Sequence, residues 1–346
     1  MKIAGHDIQK EVYIIAEISA NHVGSFDVAK EMIKAAKEAG ANAVKLQTYT
    51  ADTMTLNCEN EIFTLSHGTI WDGQSYYKLY QQAYTPWDWQ PKLKKYADGI
   101  DITLFSTPFD KTAVDFLEKM SVQVYKIASF EAIDIPLIEY AASKGKPIII
   151  STGICDKQEI QDAVDACKRD GNNDVVLLKC TSAYPAKSED MNLRTMADME
   201  NEFEVTIGLS DHTMENEGVI ASVALGARVI EKHFILDRDM AGPDAVFSLN
   251  IEEFANMVKA VRNTEKLLGE ITYELDEKKM KNRRSARSLF IAKDIKAGGI
   301  FTEENVRSVR PCVGIVPKHM KDVLGKKARI DIKFGTPLSF DMVELA

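Results

Sequence analysis

The sequence predicts an α/β fold, a closed (β/α)8 TIM barrel followed by a small β-rich domain. Eight apolar runs of strand length alternate with helical patterns over roughly the first 265 residues, which suits a barrel better than an open doubly wound sheet. No GxGxxG motif follows the first run, and this argues against a dinucleotide-binding domain. The composition changes after residue 284, where a β-rich segment begins.

The predicted strands are near-continuous apolar runs, as expected for strands buried on both faces of a parallel sheet. They span 12–18, 42–48, 102–106, 122–128, 147–151, 175–180, 205–209 and 228–233. Apolar residues at helical spacing predict helices at 26–39, 110–120, 135–144, 157–169, 191–200, 215–225 and 251–268. Ser25 is the expected N-cap of the first helix, and Gly40 follows its end.

Three further segments complete the predicted organisation of a barrel domain at 1–268. Residues 50–85 exceed an ordinary βα loop, so they are expected to form a functional insertion after strand two. Residues 269–284 are charged and predict a linker, and 285–346 form a domain too small for more than marginal stability alone. The insertion carries aromatic residues that could stack on a sugar ring or pack against the barrel, namely Trp71, Tyr76, Tyr77 and Tyr80.

The composition is that of an ordinary globular protein, 45% hydrophobic and 27% charged. A formal net charge of −9 argues against a general nucleic-acid binder, so an anionic substrate must meet a local basic cluster. Five scattered cysteines without CxxC spacing indicate neither a disulfide framework nor a thiolate zinc site, and a reducing cytoplasm is expected. Neither a signal peptide nor a membrane span is predicted.

Two histidines come at the ends of neighbouring predicted strands. His212 and His233 are about one βα unit apart, which fits adjacent parallel strands. The carboxyl ends of barrel strands form the active face, so the two imidazoles are predicted to share one metal ion. The alternative for each is a hydrogen-bonded structural histidine.

Polar side chains also mark the ends of the other strands. Lys45 and Lys126 would hold a phosphate or carboxylate by charge-assisted hydrogen bonds, unless they neutralise structural carboxylates. Glu17 and Glu131 cost free energy in a barrel mouth unless they are paired or functional. The remaining candidates at these ends are Gln47, Ser106, Thr107, Ser129, Ser151, Thr181, Ser182, Tyr184, Ser210 and Lys232.

Schiff-base chemistry is an alternative to metal chemistry. Lys126 lies where an imine-forming aldolase would keep its nucleophile. The histidine pair argues against this interpretation, since an imine enzyme needs no metal.

A series of motifs resembles the sialic acid synthase family in order and spacing. They occupy 15–18, 21–22, 44–48, 105–109, 125–129, 151–153, 208–213, 231–233 and 242–244, and the tail from 284 to 314 resembles the family's antifreeze-like (SAF) domain. Segments 68–73 and 83–89 resemble the pseudaminate branch, whose barrel carries an insertion at this point.

The resemblance implies condensation of phosphoenolpyruvate with an open-chain N-acetylated amino sugar, giving a nine-carbon 2-keto acid and phosphate. In the pseudaminate branch the acceptor is a 6-deoxy sugar, 2,4-diacetamido-2,4,6-trideoxy-altrose. The resemblance implies Mn²⁺ or Mg²⁺ on His212 and His233, with Glu17 near the reacting centre and Glu131 transferring protons. The implied phosphoenolpyruvate-binding positions are Lys45, Lys126, Ser129, Ser151 and Ser210, and the sugar-side positions are Tyr184, Asp244 and Arg310.

The resemblance also implies a homodimer in which Arg310 reaches the site from the SAF domain of the other subunit. Two positions depart from the family pattern: Ser182 stands where Asn is usual, and Ala245 where His is frequent. Both lie toward the acceptor sugar, so a neuraminate or legionaminate synthase is the alternative within the family. A non-catalytic protein whose SAF domain binds carbohydrate or ice is a further alternative, which the intact Glu17, Lys45 and histidine pair oppose.

Overall fold

The computed structural model describes residues 1–66, 68, 71–169, 171–240 and 242–344. The chain divides into two units, Met1–Gly269 and Glu270–Ala346. Residues 67, 69 and 70 of the predicted insertion, and 345 and 346 of the predicted second domain, lie outside the described residues.

Eight parallel strands close into a barrel in the first unit, so the predicted fold is confirmed. Hydrogen bonding between the last strand and the first completes the closure. The apolar runs fill both faces, because almost every strand residue is buried. The strands are β1 Tyr13–Glu17, β2 Ala43–Thr48, β3 Thr103–Pro108, β4 Tyr125–Ile127, β5 Ile148–Ser151, β6 Val175–Cys180, β7 Thr206–Asp211 and β8 Val229–His233.

Most helices of the first unit follow a strand and bury an apolar face against the barrel, whereas Tyr76–Ala83 in the insertion buries no residue fully. Side-chain caps begin several of them; Asp110, for example, accepts from the backbone amides of Thr112 and Ala113. The helices are Phe26–Glu38, Ala51–Met54, Tyr76–Ala83, Gln90–Gly99, Lys111–Lys119, Ile135–Ala142, Lys157–Arg169, Thr195–Phe203, Glu217–Ala224 and Ile251–Leu268.

The structure corrects several predicted boundaries. β3 and β7 each continue two residues past the predicted end, because backbone pairing with a neighbouring strand persists after the apolar run has ended. β4 is shorter than predicted: Val122 and Val124 are fully buried in the core, but they precede the hydrogen-bonded strand. The helix predicted at 191–200 begins at Thr195, since Asn192 has a left-handed backbone (φ 46°) that a helix cannot include.

The insertion is built around short helices and a cluster of aromatic rings. The Tyr80 ring lies 5.6 Å from Tyr49, and Tyr49 lies 5.2 Å from Phe109. Tyr76 stacks on Tyr80 at 6.2 Å, while the Tyr77 hydroxyl donates to the Asp52 carboxylate. These tyrosines therefore fold the insertion and pack it on the barrel.

The second unit has its own small core beneath an antiparallel hairpin, β9 Ser288–Ile291 and β10 Val306–Val309. The core includes Leu289, Phe301 and Leu338. The predicted linker 269–284 contains the exposed helix Glu277–Arg283, and a second short helix spans Met320–Val323.

Across the described residues of both units, no helix is long and apolar enough to cross a membrane.

Candidate active site

The register of the barrel strands brings charged side chains together at the carboxyl ends of the strands. β1 lies between β8 and β2, so Glu17 is level with His233 on one side and Lys45 on the other. One strand further round, Glu231 of β8 is level with Ser210 of β7. Residues that are far apart in the sequence therefore meet in one layer.

Lys45 is paired with the carboxylate of Glu17 inside the barrel mouth. Its ammonium contacts Glu17 Oε2 and donates to the Thr107 hydroxyl at 3.0 Å, and the lysine is only 3% exposed. Gln47, on the same face of β2, donates from Nε2 to Glu17 Oε1 at 3.3 Å. Three predicted substrate-binding residues are thus joined to the predicted catalytic Glu17.

Lys126 forms the second half of this network. Its ammonium donates to the Ser151 hydroxyl at 2.7 Å and to the Ile127 carbonyl at 3.0 Å. Its side chain is almost fully buried, like that of Lys45. Two buried lysines therefore lie close together in the mouth, and their binding of an anionic substrate stays a prediction.

Glu231 joins the two lysines and was not predicted from the sequence. Its Oε1 lies 3.6 Å from Lys126 Nζ, its Oε2 lies 3.9 Å from Lys45 Nζ, and it accepts from Ser210 Oγ at 3.2 Å. Glu231 lies two positions before His233 on the same strand. Strand alternation would have placed both on one face, so the signal was available in the sequence.

Burial and the lysines shift the pKa values of these carboxyls in opposite directions. Burial raises the pKa of Glu17 to about 7, although the neighbouring Lys45 lowers it. Burial also acts to raise the pKa of Glu231. The charges of Lys126 and Lys45 together lower it by more than burial raises it, so the pKa lies below its ordinary value. Glu231 therefore stays ionised, while Glu17 exchanges its proton near neutrality.

Glu131 lies in a single 3₁₀ turn directly after β4. Its Oε2 is buried and has no hydrogen-bond partner among the described residues. Burial raises the pKa of the Glu131 carboxyl to about 7, against the opposing charges of Lys126 and Lys45. A carboxyl with this pKa can donate and accept protons at physiological pH.

The two predicted metal ligands face each other at the mouth, with ring centroids 5.3 Å apart. His212 Nδ1 lies 2.9 Å from the Thr181 carbonyl, which accepts its proton, and the His212 side chain also hydrogen-bonds to the thiol of Cys180. His233 Nδ1 is buried without a hydrogen-bond partner among the described residues. Burial and then the charge of His212 hold the pKa of His233 well below its usual range, so this imidazole is neutral.

The two imidazoles would provide two nitrogen ligands to a metal ion. Among the described residues, no group of three or more His, Cys, Asp or Glu side chains is arranged to hold a metal ion. An ion bound here would therefore take its other ligands from water and substrate, a coordination typical of a site with open positions.

Aromatic residues flank the histidines on the side predicted to face the sugar. The Tyr184 ring lies 4.4 Å from His212 and 5.0 Å from Phe247. Phe247 also packs on His233 at 4.9 Å. Trp71, from the insertion, lies 6.2 Å from Tyr184, so the insertion reaches the mouth of the barrel.

A glycine after β5 lets the hydroxyl groups at the ends of two other strands lie close to it. The backbone amide of Gly153 donates to Ser129 Oγ at 3.1 Å. A Cβ at Gly153 would lie 2.1 Å from Ser182 Oγ and 2.9 Å from Ser129 Oγ, closer than any side chain allows. Glycine is thus required for these two serines to share the site.

Asp244 lies at the edge of the mouth, where it joins the loop after β1. Its Oδ2 accepts from the backbone amide of Ala20 at 3.4 Å, and burial raises the pKa of its carboxyl. Arg310 belongs to the second unit and is exposed. The structure brings the other predicted site residues together in the first unit, and their individual roles stay predictions.

Comparison with known proteins identifies the family. A model of the NeuB family matches residues 32–273, and a model of the SAF domain matches residues 286–344. The chain belongs to the NeuB family. The predicted family is confirmed, as is the predicted combination of a barrel with a SAF domain.

Relatives within the NeuB family differ in their similarity to this chain. A pseudaminic acid synthase of Campylobacter jejuni subsp. jejuni is 48% identical over 338 residues, covering 98% of each chain. An N,N'-diacetyllegionaminic acid synthase of Legionella pneumophila subsp. pneumophila is 35% identical, covering 96% of this chain and 94% of its own. The crystal structure of a sialic acid synthetase from Leptospira borgpetersenii is 32% identical, with a TM-score of 0.70 over 79% of this chain and 90% of that one.

Proposed function

We propose that this NeuB-family chain is a pseudaminic acid synthase, an enzyme that condenses phosphoenolpyruvate with 2,4-diacetamido-2,4,6-trideoxy-altrose and water. The greater identity to a pseudaminic acid synthase, 48% against 35% for a legionaminic acid synthase, supports this branch. The products are pseudaminic acid and phosphate, formed with a new C–C bond. A neuraminate or legionaminate synthase is the alternative, because Ser182 and Ala245 leave the acceptor open.

The paired lysines carry this proposal. Lys45 and Lys126 both approach the carboxylate of Glu231, and hydroxyls of Thr107 and Ser151 accept from them. Phosphoenolpyruvate carries a phosphate and a carboxylate, whose oxygens would form the same charge-assisted bonds. The preformed lysine pair therefore matches the two anionic groups of one substrate, and Ser129 and Ser210 supply further hydrogen-bond donors.

The proposed reaction has three steps, which are C–C bond formation, addition of water and loss of phosphate. Carbon 3 of the enol attacks the aldehyde carbon, and the aldehyde oxygen takes a proton, which we assign to Glu131 because its pKa is about 7. Water then adds to the cationic carbon 2 and loses a proton, which Glu17 can accept because its pKa is about 7. The tetrahedral intermediate expels phosphate by C–O cleavage, and the proton of its new hydroxyl passes to the departing phosphate, leaving the 2-keto group.

His212 and His233 would hold a divalent ion, Mn²⁺ or Mg²⁺. The residues fit such an ion, because the two imidazole rings are only 5.3 Å apart and His233 Nδ1 is buried with no hydrogen-bond partner in the described part of the chain. When bound, the ion would act as a Lewis acid toward the aldehyde oxygen or water. The Thr181 carbonyl orients the His212 imidazole by accepting from its Nδ1.

The proposal includes the cellular setting and the assembly. Five cysteines without a disulfide suit a reducing cytoplasm. We also propose a homodimer with exchanged SAF domains, in which Arg310 of one subunit binds substrate in the barrel of the other. The exposure of Arg310 is compatible with this role.

Phosphate release from phosphoenolpyruvate tests the function. With manganese, we expect turnover with the diacetamido-altrose, loss of turnover after chelation, and little turnover with N-acetylmannosamine. Preferential turnover of the mannosamine would retain the chemistry but reject the branch. Release with neither sugar would contradict the proposal.

A variant of Lys126 tests whether the lysine pair binds phosphoenolpyruvate. Lys126→Met should raise the KM for phosphoenolpyruvate at least tenfold, because the substrate loses a charge-assisted contact of about 1.5 to 3 kcal/mol. Lys92→Met, on the exposed outer surface, is the control. Trapping of pyruvate on Lys126 by borohydride, together with activity in chelator, would instead identify a Schiff-base aldolase.

A further inference from the structure

The long insertion after β2 brings Trp71 into ring contact with Tyr184 at the mouth of the barrel. The Trp71 and Tyr184 ring centroids are 6.2 Å apart and their planes are inclined by 59°. The Tyr184 ring also lies against His212, with centroids 4.4 Å apart. Successive ring contacts therefore connect Trp71 of the insertion, through Tyr184, to the histidine pair.

The other aromatic residues of the insertion have different neighbours. Tyr80 packs on Tyr49 of the barrel, Tyr76 stacks on Tyr80, and Tyr77 hydrogen-bonds to Asp52. Of the four aromatic residues that the sequence singled out, Trp71 is the one in ring contact with a predicted sugar-side residue. Trp71 thus differs from these three tyrosines in contacting the ring of Tyr184.

Phe247 packs behind these rings and supports them. Phe247 is only 1% exposed and packs against Tyr184 at 5.0 Å and against His233 at 4.9 Å. Phe247 therefore supports the Tyr184 ring and limits its movement in that direction. Trp71 itself is only partly buried, so part of the indole surface remains accessible.

We propose that Trp71 is a specificity-determining residue that binds the methyl end of a 6-deoxy amino-sugar acceptor. This inference rests on the proposed function and identifies how its acceptor is selected. With the aldehyde at the histidines, an open six-carbon chain extends along the rings, and carbon 6 reaches the indole. A methyl group gains from burial on the indole, whereas a hydroxymethyl group must lose water there.

The experiment compares two acceptors that differ at carbon 6 alone. They are 2,4-diacetamido-2,4,6-trideoxy-altrose and its 6-hydroxy counterpart, assayed at saturating phosphoenolpyruvate with manganese. For Trp71→Ala we expect kcat/KM for the 6-deoxy sugar to fall about tenfold or more, mainly through KM, with a smaller change for the 6-hydroxy sugar. The preference for the 6-deoxy sugar then decreases, and Trp71→Phe should retain part of it.

The matched control is Tyr77→Phe, which removes a hydroxyl from the same insertion away from the rings of the mouth. It should leave the preference unchanged. The melting temperature and the KM for phosphoenolpyruvate should also be unchanged in the Trp71 variants. If Trp71→Ala is unstable, Trp71→Phe provides the same comparison.

Other outcomes distinguish this proposal from the proposed function. Equal losses for both sugars, or a raised KM for phosphoenolpyruvate, would mean that Trp71 supports the fold, and would overturn the inference alone. Wild-type protein that turns over neither sugar would overturn the proposed function and this inference with it.

Discussion

The Glu131 carboxyl links burial to a measurable dependence of stability on pH. Its ordinary pKa is 4.5, and burial raises the folded-state pKa to about 7. The folded protein therefore holds this proton more tightly than the unfolded chain does. That stabilisation is fully present below pH 4.5 and is lost as the pH rises through 7.

Replacing Glu131 by Gln removes this titration. At pH 8 we expect Glu131→Gln to exceed wild type in free energy of unfolding by on the order of 2 kcal/mol, because it avoids a buried charge. At pH 5 the difference should be small, since the wild-type carboxyl is then largely protonated. Urea unfolding at the two pH values measures both quantities.

A substitution on the surface shows whether the change in stability comes from the burial of Glu131 or from removing any negative charge. Glu189 is exposed in the segment after β6, so Glu189→Gln should change stability little at either pH. A Glu131→Gln effect that is the same at pH 5 and pH 8 would contradict the raised pKa. The same variant should also turn over slowly if Glu131 transfers the proton.

At the scale of single residues, the sequence identified side chains that interrupt or end an apolar run. Glu17, Lys45 and Lys126 are visible in this way, because a charge in a buried strand needs an explanation. Glu231 was missed, although its contacts with both lysines make it central. Its partners depend on the register between strands that are distant in sequence, and no local pattern specifies that register.

At the scale of elements, a buried ion pair joins the ends of β7 and β8. Lys232 Nζ lies 2.5 Å from Asp211 Oδ2 and also donates to the Thr213 carbonyl. Asp211 Oδ1 in turn accepts from the Thr213 amide at 2.9 Å. Asp211 and Thr213, which flank His212, are thus both bound to Lys232, which precedes His233. The ion pair therefore fixes the spacing of the two imidazoles.

A double-mutant cycle tests this positioning. Lys232→Met leaves a buried carboxylate without its cation and should cost about 3 to 5 kcal/mol of stability. Asp211→Asn combined with Lys232→Met should recover part of that loss, since both charges are gone. Manganese affinity, measured by electron paramagnetic resonance, should stay at least tenfold weaker in the double variant, because the strand ends are no longer held.

The partly exposed pair of Glu118 and Lys146 is a suitable control away from the histidines. Removal of both of its charges should change stability slightly and leave manganese affinity unchanged. Wild-type manganese affinity in the stable Asp211, Lys232 double variant would show that the buried pair supports the fold alone.

Most elements could be predicted because an apolar run or an amphipathic pattern is a local property. The helix Gln90–Gly99 was missed for the same reason: only Gln90, Leu93 and Ala97 are buried, so its apolar face is weak. Helix ends were less predictable, as Asn192 shows with its left-handed backbone. That conformation is set by the surrounding chain and has no signature in the apolar pattern.

At the scale of the whole molecule, a chain of net charge −9 concentrates two buried lysines at one point. The closed barrel makes this possible, because side chains from all eight strands converge on one mouth. The sequence could predict that convergence once eight alternating units had been recognised. It could not predict where Arg310 acts, since that depends on how the second unit is used in the assembled protein.

Mixing two inactive variants tests whether the second unit serves a neighbouring subunit. Arg310→Ala should remove a substrate contact, and His212→Ala should remove a metal ligand, so each homodimer should be inactive. If SAF domains are exchanged, a mixed dimer contains one barrel with His212 that receives an intact Arg310 from its partner. Random pairing then restores about a quarter of wild-type activity, because half of the dimers are mixed and each has one complete site.

The same mixture distinguishes exchange from a domain that serves its own barrel. If each SAF domain serves its own barrel, the barrel that retains His212 is paired with the Arg310→Ala substitution. The other barrel lacks His212. Neither site is complete, so activity stays at the level of the separate variants. Subunit exchange must be verified independently, for example by differently tagged chains that co-purify after mixing. Co-purification without recovered turnover would overturn the exchanged dimer, whereas recovery that scales with the fraction of mixed dimers would place Arg310 in the neighbouring site.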